Sequence, residues 1–233
     1  EKLIMNYLDG KNFSEEKKYI DAIFTLSGLS ECGKSSAGIR MASSPFEIKR
    51  YKIIEIEKEM MSARGMDISS GLKDEHFIKL YQDKSEDVFK EFILRLIVHL
   101  KEDNIKCVSI ESLYRAPFGS FLKREFGNKC ANIYIEAPIE IRARREYNKK
   151  CYEAFEKGIS GISYKEVLES VKMKDAFKES HKASNCKEIA DYVIINDEKK
   201  DLEDFLHDVD VIVSDTIKGT QVSTCQVMRS STK

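Results

Sequence analysis

The segment Gly28-Leu-Ser-Glu-Cys-Gly33-Lys34-Ser35 fits G-x-x-x-x-G-K-[ST] without a gap, and it constrains the fold more than any other stretch of these 233 residues. Ahead of it, AIFTLSG (22–28) is a short β-branched and aromatic run that stops at glycine, as a buried strand does. Behind it, GKSSAGIRMAS predicts a short helix closed by Ser43, Ser44 and Pro45. Strand, glycine loop and helix in that order make a phosphate cradle. The glycines let the backbone turn so that successive N–H groups face inward, and the helix adds its unsatisfied N–H groups and positive dipole end. Gly28, Ser30, Glu31, Cys32, Gly33, Lys34, Ser35 and Ser36 are therefore the candidate nucleotide-binding residues. Lys34 is placed to reach the β- and γ-phosphates, and the Ser35 hydroxyl to ligate Mg²⁺. Glu31 is awkward beside phosphates unless it points to solvent or a cation, and solvent exposure is the expectation; Cys32 reads as a tolerated small residue.

The remaining pattern alternates strands with helices. RYKIIEIEKEMMSARG (50–65) begins strand-like at Tyr51–Ile56 and continues as a helix that Gly65 can end. EDVFKEFILRLIVHL (86–100) spaces its apolar residues three and four apart, an amphipathic helix. KCVSIESL (106–113), ANIYIEAP (131–138) and DYVIIND (191–197) are further apolar strands. Residues 148–189 read as helical with a break at Gly158–Gly161, and DLEDFLHDVDVIV (201–213) as a last helix. This order predicts βαβ units, a largely parallel sheet and a doubly wound α/β fold. The expected organisation is a helical lead-in over 1–22, where Leu3, Ile4, Tyr7 and Leu8 lie on one helical face, a phosphate-loop domain over 23–213, and a loose polar tail over 214–233.

Charge narrows the function. The chain has 39 basic and 40 acidic residues, a balance that argues against a protein built around a nucleic-acid backbone. Its six cysteines fit neither a disulfide framework nor a zinc site. No apolar run reaches the ~18–20 residues of a membrane span, and EKLIMNYLDG lacks a secretory pattern. The expectation is a cytoplasmic protein. Its first residue is Glu1 rather than methionine, which reads as a processed product or an excised segment. The second signatures of a GTPase, D-x-x-G and N-K-x-D, are not in the sequence. Glu111, at the end of the 106–111 strand, occupies the place of an acid that holds a Mg²⁺-bound water or orients substrate.

Four blocks, IFTLSGLSECGKSSAG, IIEIEKEMMSARG, ANIYIEAPIEIRARR and KDAFKESHKASNCKEIADYVIIND, resemble the nucleoside monophosphate kinase and dephospho-CoA kinase group of phosphate-loop kinases. Together they span about residues 23–212. The resemblance implies a three-layer fold around a mostly parallel five-stranded sheet, with a mobile helical lid over about 142–185. It also implies ATP- and Mg²⁺-dependent phosphoryl transfer to a small phosphorylated acceptor, a nucleoside monophosphate or a dephospho-CoA-like metabolite. In that scheme Glu57 contacts the acceptor or accepts its proton, and Arg64 and Arg115 are candidates for an acceptor phosphate. Arg142 and Arg145, with Arg144, Lys149 and Lys150 nearby, sit where a helix enters the lid and are placed to grip phosphates. Lys174-Asp175 occupy the place of an Arg-Asp pair. Ile56-Glu57-Lys58 stands where the group has Gly-Asp, and lysine at 174 cannot make arginine's bidentate grip. These departures open a second reading, a nucleotide-binding regulatory module with reduced turnover.

Overall fold

The computed structural model describes residues 12–82, 86–158 and 161–230; the lead-in residues Leu3 to Leu8 lie outside that range. A single turn, α1 (Phe13–Glu16), leads to β1 (Ala22–Ser27). Then follow α2 (Lys34–Ala42), β2 (Lys49–Lys52), α3 (Ile53–Ala63), α4 (Asp74–Leu80) and α5 (Asp87–Glu102). Next come β3 (Cys107–Leu113), α6 (Ala116–Phe126), β4 (Cys130–Glu136) and α7 (Ile139–Glu156). The chain ends with α8 (Tyr164–Ser180), β5 (Tyr192–Ile195) and α9 (Leu202–Ser230).

The five strands form one sheet in the order β2-β3-β1-β4-β5, and every pairing is parallel. The fold is three-layered. β1 is buried on both faces, and its side chains alternate between two cores. Ile23 joins Val108 and Ile110 under α3, α5 and α6, while Phe24 and Leu26 join Ile133 under α2 and α9. Phe24, Phe92, Phe118 and Phe205 are at most 1% exposed, and each such side chain contributes about 1.5–3 kcal/mol by leaving water. Because β1 lies between β3 and β4, the loop that leaves its carboxyl end opens into the crevice where the sheet's connectivity reverses, the place where open α/β sheets bind ligands.

Four elements differ from the sequence expectation. The second strand covers Lys49–Lys52 rather than Tyr51–Ile56. Glu55 accepts the Lys52 N–H at 2.9 Å, which starts a helix at Ile53 and turns Ile53, Ile56 and Met60 inward at helical spacing. The final helix continues to Ser230 through the stretch expected to be a loose tail. Its register carries on past Val213, with Thr216 buried and Ile217 against the α2–α9 core. Helices α4 and α6 lie where the sequence suggested no element, and the latter starts with Pro117 in its first turn.

Candidate active site

The loop between β1 and α2 is compact because Gly28, Glu31 and Gly33 all take positive φ, at 127°, 61° and 119°. A side chain at Gly33 would bring its Cβ to 2.6 Å from the Asn196 amide nitrogen, so only glycine fits there. Lys34 is 7% exposed and folds back over the loop. Its Nζ donates to the carbonyls of Gly28 at 2.9 Å and Leu29 at 2.5 Å, and lies 3.4 Å from the Cys32 sulfur. Phosphate oxygens would compete directly for this ammonium.

Helices α7 and α8 pack over the loop and are fastened to it from behind. Arg142 is 3% exposed. It donates to the carbonyls of Ser30 at 2.8 Å and Ala137 at 2.9 Å, and pairs with Asp175 at 2.7 Å. Asp175 in turn accepts the Ser30 N–H at 3.0 Å. Both backbone groups of Ser30 are thus fixed by one ion pair. Arg145 donates to the carbonyl and side-chain oxygen of Asn196, while its Nη1 is buried without a partner. Asn196 passes the contact on, donating to the Cys32 carbonyl at 2.8 Å. Burial holds the Arg145 guanidinium below its ordinary pKa.

Between loop and helices lies a cavity of about 660 Å³. Lys34, Arg145, Lys149, Lys174 and Lys178 line it against a single carboxylate, Glu31. Glu31 stays partly exposed and meets Lys174 at 3.4 Å, which relieves the awkwardness of an acid in a phosphate loop. Lys178 stands out. Burial, reinforced by the charge of Lys34, pulls its pKa down to about 7. Phosphates arriving in this cavity would recharge it.

A second cavity of about 280 Å³ adjoins the first, and Ser112, Phe177 and Lys178 line both. Ser112 reaches this position because β1–β3 pairing skips it: Leu26 faces Glu111 and Ser27 faces Leu113, leaving Ser112 extruded at φ 66°. Glu57 lines the second cavity and has no exposed surface. Its Oε1 accepts hydroxyls from Tyr81 and Tyr114, each at 2.6 Å, while Oε2 is buried without a partner. Burial pushes the Glu57 carboxyl above its usual range, against the pull of the two tyrosines and Arg115. The same burial, with Glu57 beside them, drives both tyrosines well above 10.

No family model matches the chain, and no curated protein matches it. Among solved structures, an uncharacterized protein from Eubacterium ventriosum superposes with a TM-score of 0.50 at 12% identity, over 83% of this chain and 96% of that one. A gluconokinase from Sinorhizobium meliloti gives 0.45 at 11% identity, over 89% and 98%. A shikimate kinase from Bacteroides thetaiotaomicron gives 0.41 at 14%, over 83% and 98%. The likeness is one of fold. Chemistry has to come from the side chains.

Those side chains sort the expected residues. Ser30, Glu31, Gly33, Lys34, Ser35 and Ser36 of the loop line the first cavity with Arg145, Lys149 and Lys174, while Gly28 and the buried Cys32 do not; Glu57 stands at the second. Arg142 does not line the cavity; its guanidinium is committed to Ser30, Ala137 and Asp175. Arg144 is exposed, and Lys150 leans toward Glu146. Arg64 lies away from both cavities, in a two-pronged pair with Glu91 and a bond to the Met60 carbonyl. Arg115 is not on the cavity wall either; its guanidinium stacks 3.9 Å from the Tyr81 ring centre and 5.2 Å from that of Tyr114. Glu111, expected near Mg²⁺, is 1% exposed, pairs with Arg50 and packs against Gly38 of α2. Among the described residues no group of three or more His, Cys, Asp or Glu side chains gathers as a metal site.

Lys178, Ser112 and the two tyrosines on Glu57 went unnoticed in the sequence. Lys178 carried a signal: it follows Lys174 by four and Phe177 by one, so one face of α8 presents all three to the cavities. The tyrosines carried none, since Tyr81 and Tyr114 meet Glu57 across 24 and 57 residues.

Proposed function

We propose that the chain transfers the γ-phosphoryl group of ATP to a small-molecule acceptor. The common wall of the two cavities carries this reading. On one side lie a phosphate loop and four further cations, on the other a buried carboxyl with an open oxygen, and Lys178 stands on the seam. Phosphoryl transfer needs positioned cations, an in-line acceptor and exclusion of water, and little covalent help from the protein. Loop N–H groups and the start of α2 hold the donor phosphates, Lys34 swings from its own loop's carbonyls to the β- and γ-oxygens, and Arg145 offers its unpartnered Nη1. Lys178, recharged by the phosphates, sits where the transferring group passes, and Glu57 orients the acceptor.

Of the expected Mg²⁺ ligands, Ser35 fits: it opens α2 and lines the donor cavity. Glu111 fits poorly, being tied to Arg50. When bound, the ion neutralises charge building on the bridging phosphate oxygens. The expected phosphorylated acceptor needs a free cation in the second cavity, and neither Arg64 nor Arg115 lines it. A module that only binds nucleotide has no use for a buried, half-satisfied carboxyl beside its loop, so turnover is the favoured reading. Among the described residues no helix is long and apolar enough to cross a membrane, and a cytoplasmic setting with its supply of ATP suits this activity.

Calorimetric titration with ATP and Mg²⁺ tests the donor side. Lys34→Ala is expected to weaken ATP at least ~10-fold, as loss of a charge-assisted contact of about 1.5–3 kcal/mol requires. Unchanged affinity would overturn the assignment of this loop.

A further inference from the structure

Resting on that kinase reading, we propose that the acceptor is an uncharged alcohol with a flat, apolar body, whose hydroxyl donates to Glu57 Oε2. Three observations converge on this class. First, apart from Glu57, Ser112 and Lys178, the second cavity is walled by Ile53, Ile54, Leu72, Phe77, Tyr114 and Phe177. At about 280 Å³ it lies at the small end of ligand pockets, ~300–1,000 Å³. Second, three of those walls are aromatic. The Phe77 ring lies edge-on to Tyr114 at 6.2 Å and to Phe177 at 6.0 Å between centroids, an arrangement that a further ring extends at similar spacing.

Third, the polar groups want a donor and reject an anion. Oε2 of Glu57 is buried with its lone pairs unmatched, and Oε1 already has two hydroxyls. A buried acceptor atom without a partner costs about 1–3 kcal/mol, which a ligand hydroxyl recovers. A phosphate or carboxylate here would face Glu57 in a poorly screened site. The cation able to offset it on the cavity wall is Lys178, which also lines the donor cavity and stands close enough to Lys34 to feel its charge. A cationic amine would in turn meet Lys178 on the cavity wall. An uncharged hydroxyl supplies the donor that Oε2 lacks and adds no charge beside Glu57 or Lys178.

The step then balances. The acceptor O–H bond breaks and its proton passes to Glu57 Oε2 as the oxygen bonds to the γ-phosphorus of ATP. The bond from that phosphorus to the β,γ-bridging oxygen breaks, leaving ADP and a phosphate monoester.

The experiment uses the full chain with ATP and Mg²⁺. ADP release is followed for three acceptor sets at equal concentration: thymidine, pyridoxine and 2-phenylethanol; AMP and dephospho-CoA; shikimate and gluconate. Saturation-transfer NMR reports acceptor binding independently of turnover, and calorimetry reports ATP binding. At least one uncharged alcohol is expected to bind and to drive ADP release, with a monoester seen by phosphorus NMR. Glu57→Gln, which keeps the shape and the two tyrosine bonds, is expected to lower kcat ~10²–10⁴-fold with ATP affinity unchanged. Turnover on a phosphorylated or carboxylate acceptor, or intact ATP binding with no uncharged alcohol bound, overturns the acceptor class and leaves the kinase reading standing. So does a Glu57→Gln protein that folds and turns over normally. Failure to bind ATP at all overturns both.

Discussion

At the scale of single residues, Lys178 embodies a trade between stability and function. Burial and Lys34 lower its pKa from 10.5 to about 7 in the folded protein. The unfolded chain therefore holds a proton that the folded chain has lost between pH 7 and 10.5, so stability rises with pH across that window and the penalty is complete below it. Lys178→Met is expected to raise Tm by a few degrees at or below pH 7, with the gain fading toward pH 10.5. The same variant should slow phosphoryl transfer ~10²-fold by removing the cation on the seam. Differential scanning calorimetry across pH, with initial rates of ADP release, reads both effects. A variant that is less stable near pH 6 would contradict a cost of holding this lysine charged in the folded protein.

At the scale of elements, the fastening of α8 to the loop is the feature on which the donor site depends. Arg142 lies on α7, Asp175 on α8 and Ser30 in the loop, so one ion pair joins three segments. Arg142→Met leaves Asp175 buried without its cation, a loss on the order of 3–5 kcal/mol. Tm should fall by roughly 10 °C, and ATP affinity should fall with it because Ser30 loses its anchor. Calorimetry and ATP titration check this, and an unchanged ATP affinity would show that the loop holds its shape unaided. Arg142 and Asp175 were each singled out in the sequence, but their pairing was not legible beforehand. Arg142 and Asp175 are 33 residues apart, and their meeting follows from the pairing of α7 with α8 rather than from any local pattern. By contrast β1, β3 and β4 were plain to read, because strands buried on both faces are nearly continuous apolar runs. β2 was misplaced for the opposite reason. It is an edge strand, Lys-Arg-Tyr-Lys, with little apolar content, and the isoleucines after it belong to a helix.

At the scale of the whole molecule, the strand order brings segments far apart in sequence to one crevice: the loop after β1, the bulge ending β3 and the face of α8. The loop's own role needed only local sequence; the acceptor cavity needed the assembled fold. Because Phe177 and Lys178 of α8 wall both cavities, the proposed donor and acceptor would share part of their binding surface. ATP should tighten the acceptor several-fold, and by linkage the acceptor should tighten ATP by the same factor. Titrating each ligand with and without a nonhydrolysable form of the other measures the two factors, and unequal or absent coupling would mean that α8 does not respond to either.

The apolar walls around Glu57 have a consequence beyond choice of acceptor. Water is itself a competent phosphoryl acceptor, and any kinase with a wet acceptor pocket hydrolyses ATP idly while it waits. Here the chamber on the far side of the seam is lined mainly by isoleucine, leucine and aromatic rings, and of its polar groups, Glu57, Ser112 and Lys178, the last two also line the first cavity. On the proposed reading, such a wall would favour an apolar alcohol over water beside the γ-phosphate and so limit wasteful hydrolysis of ATP.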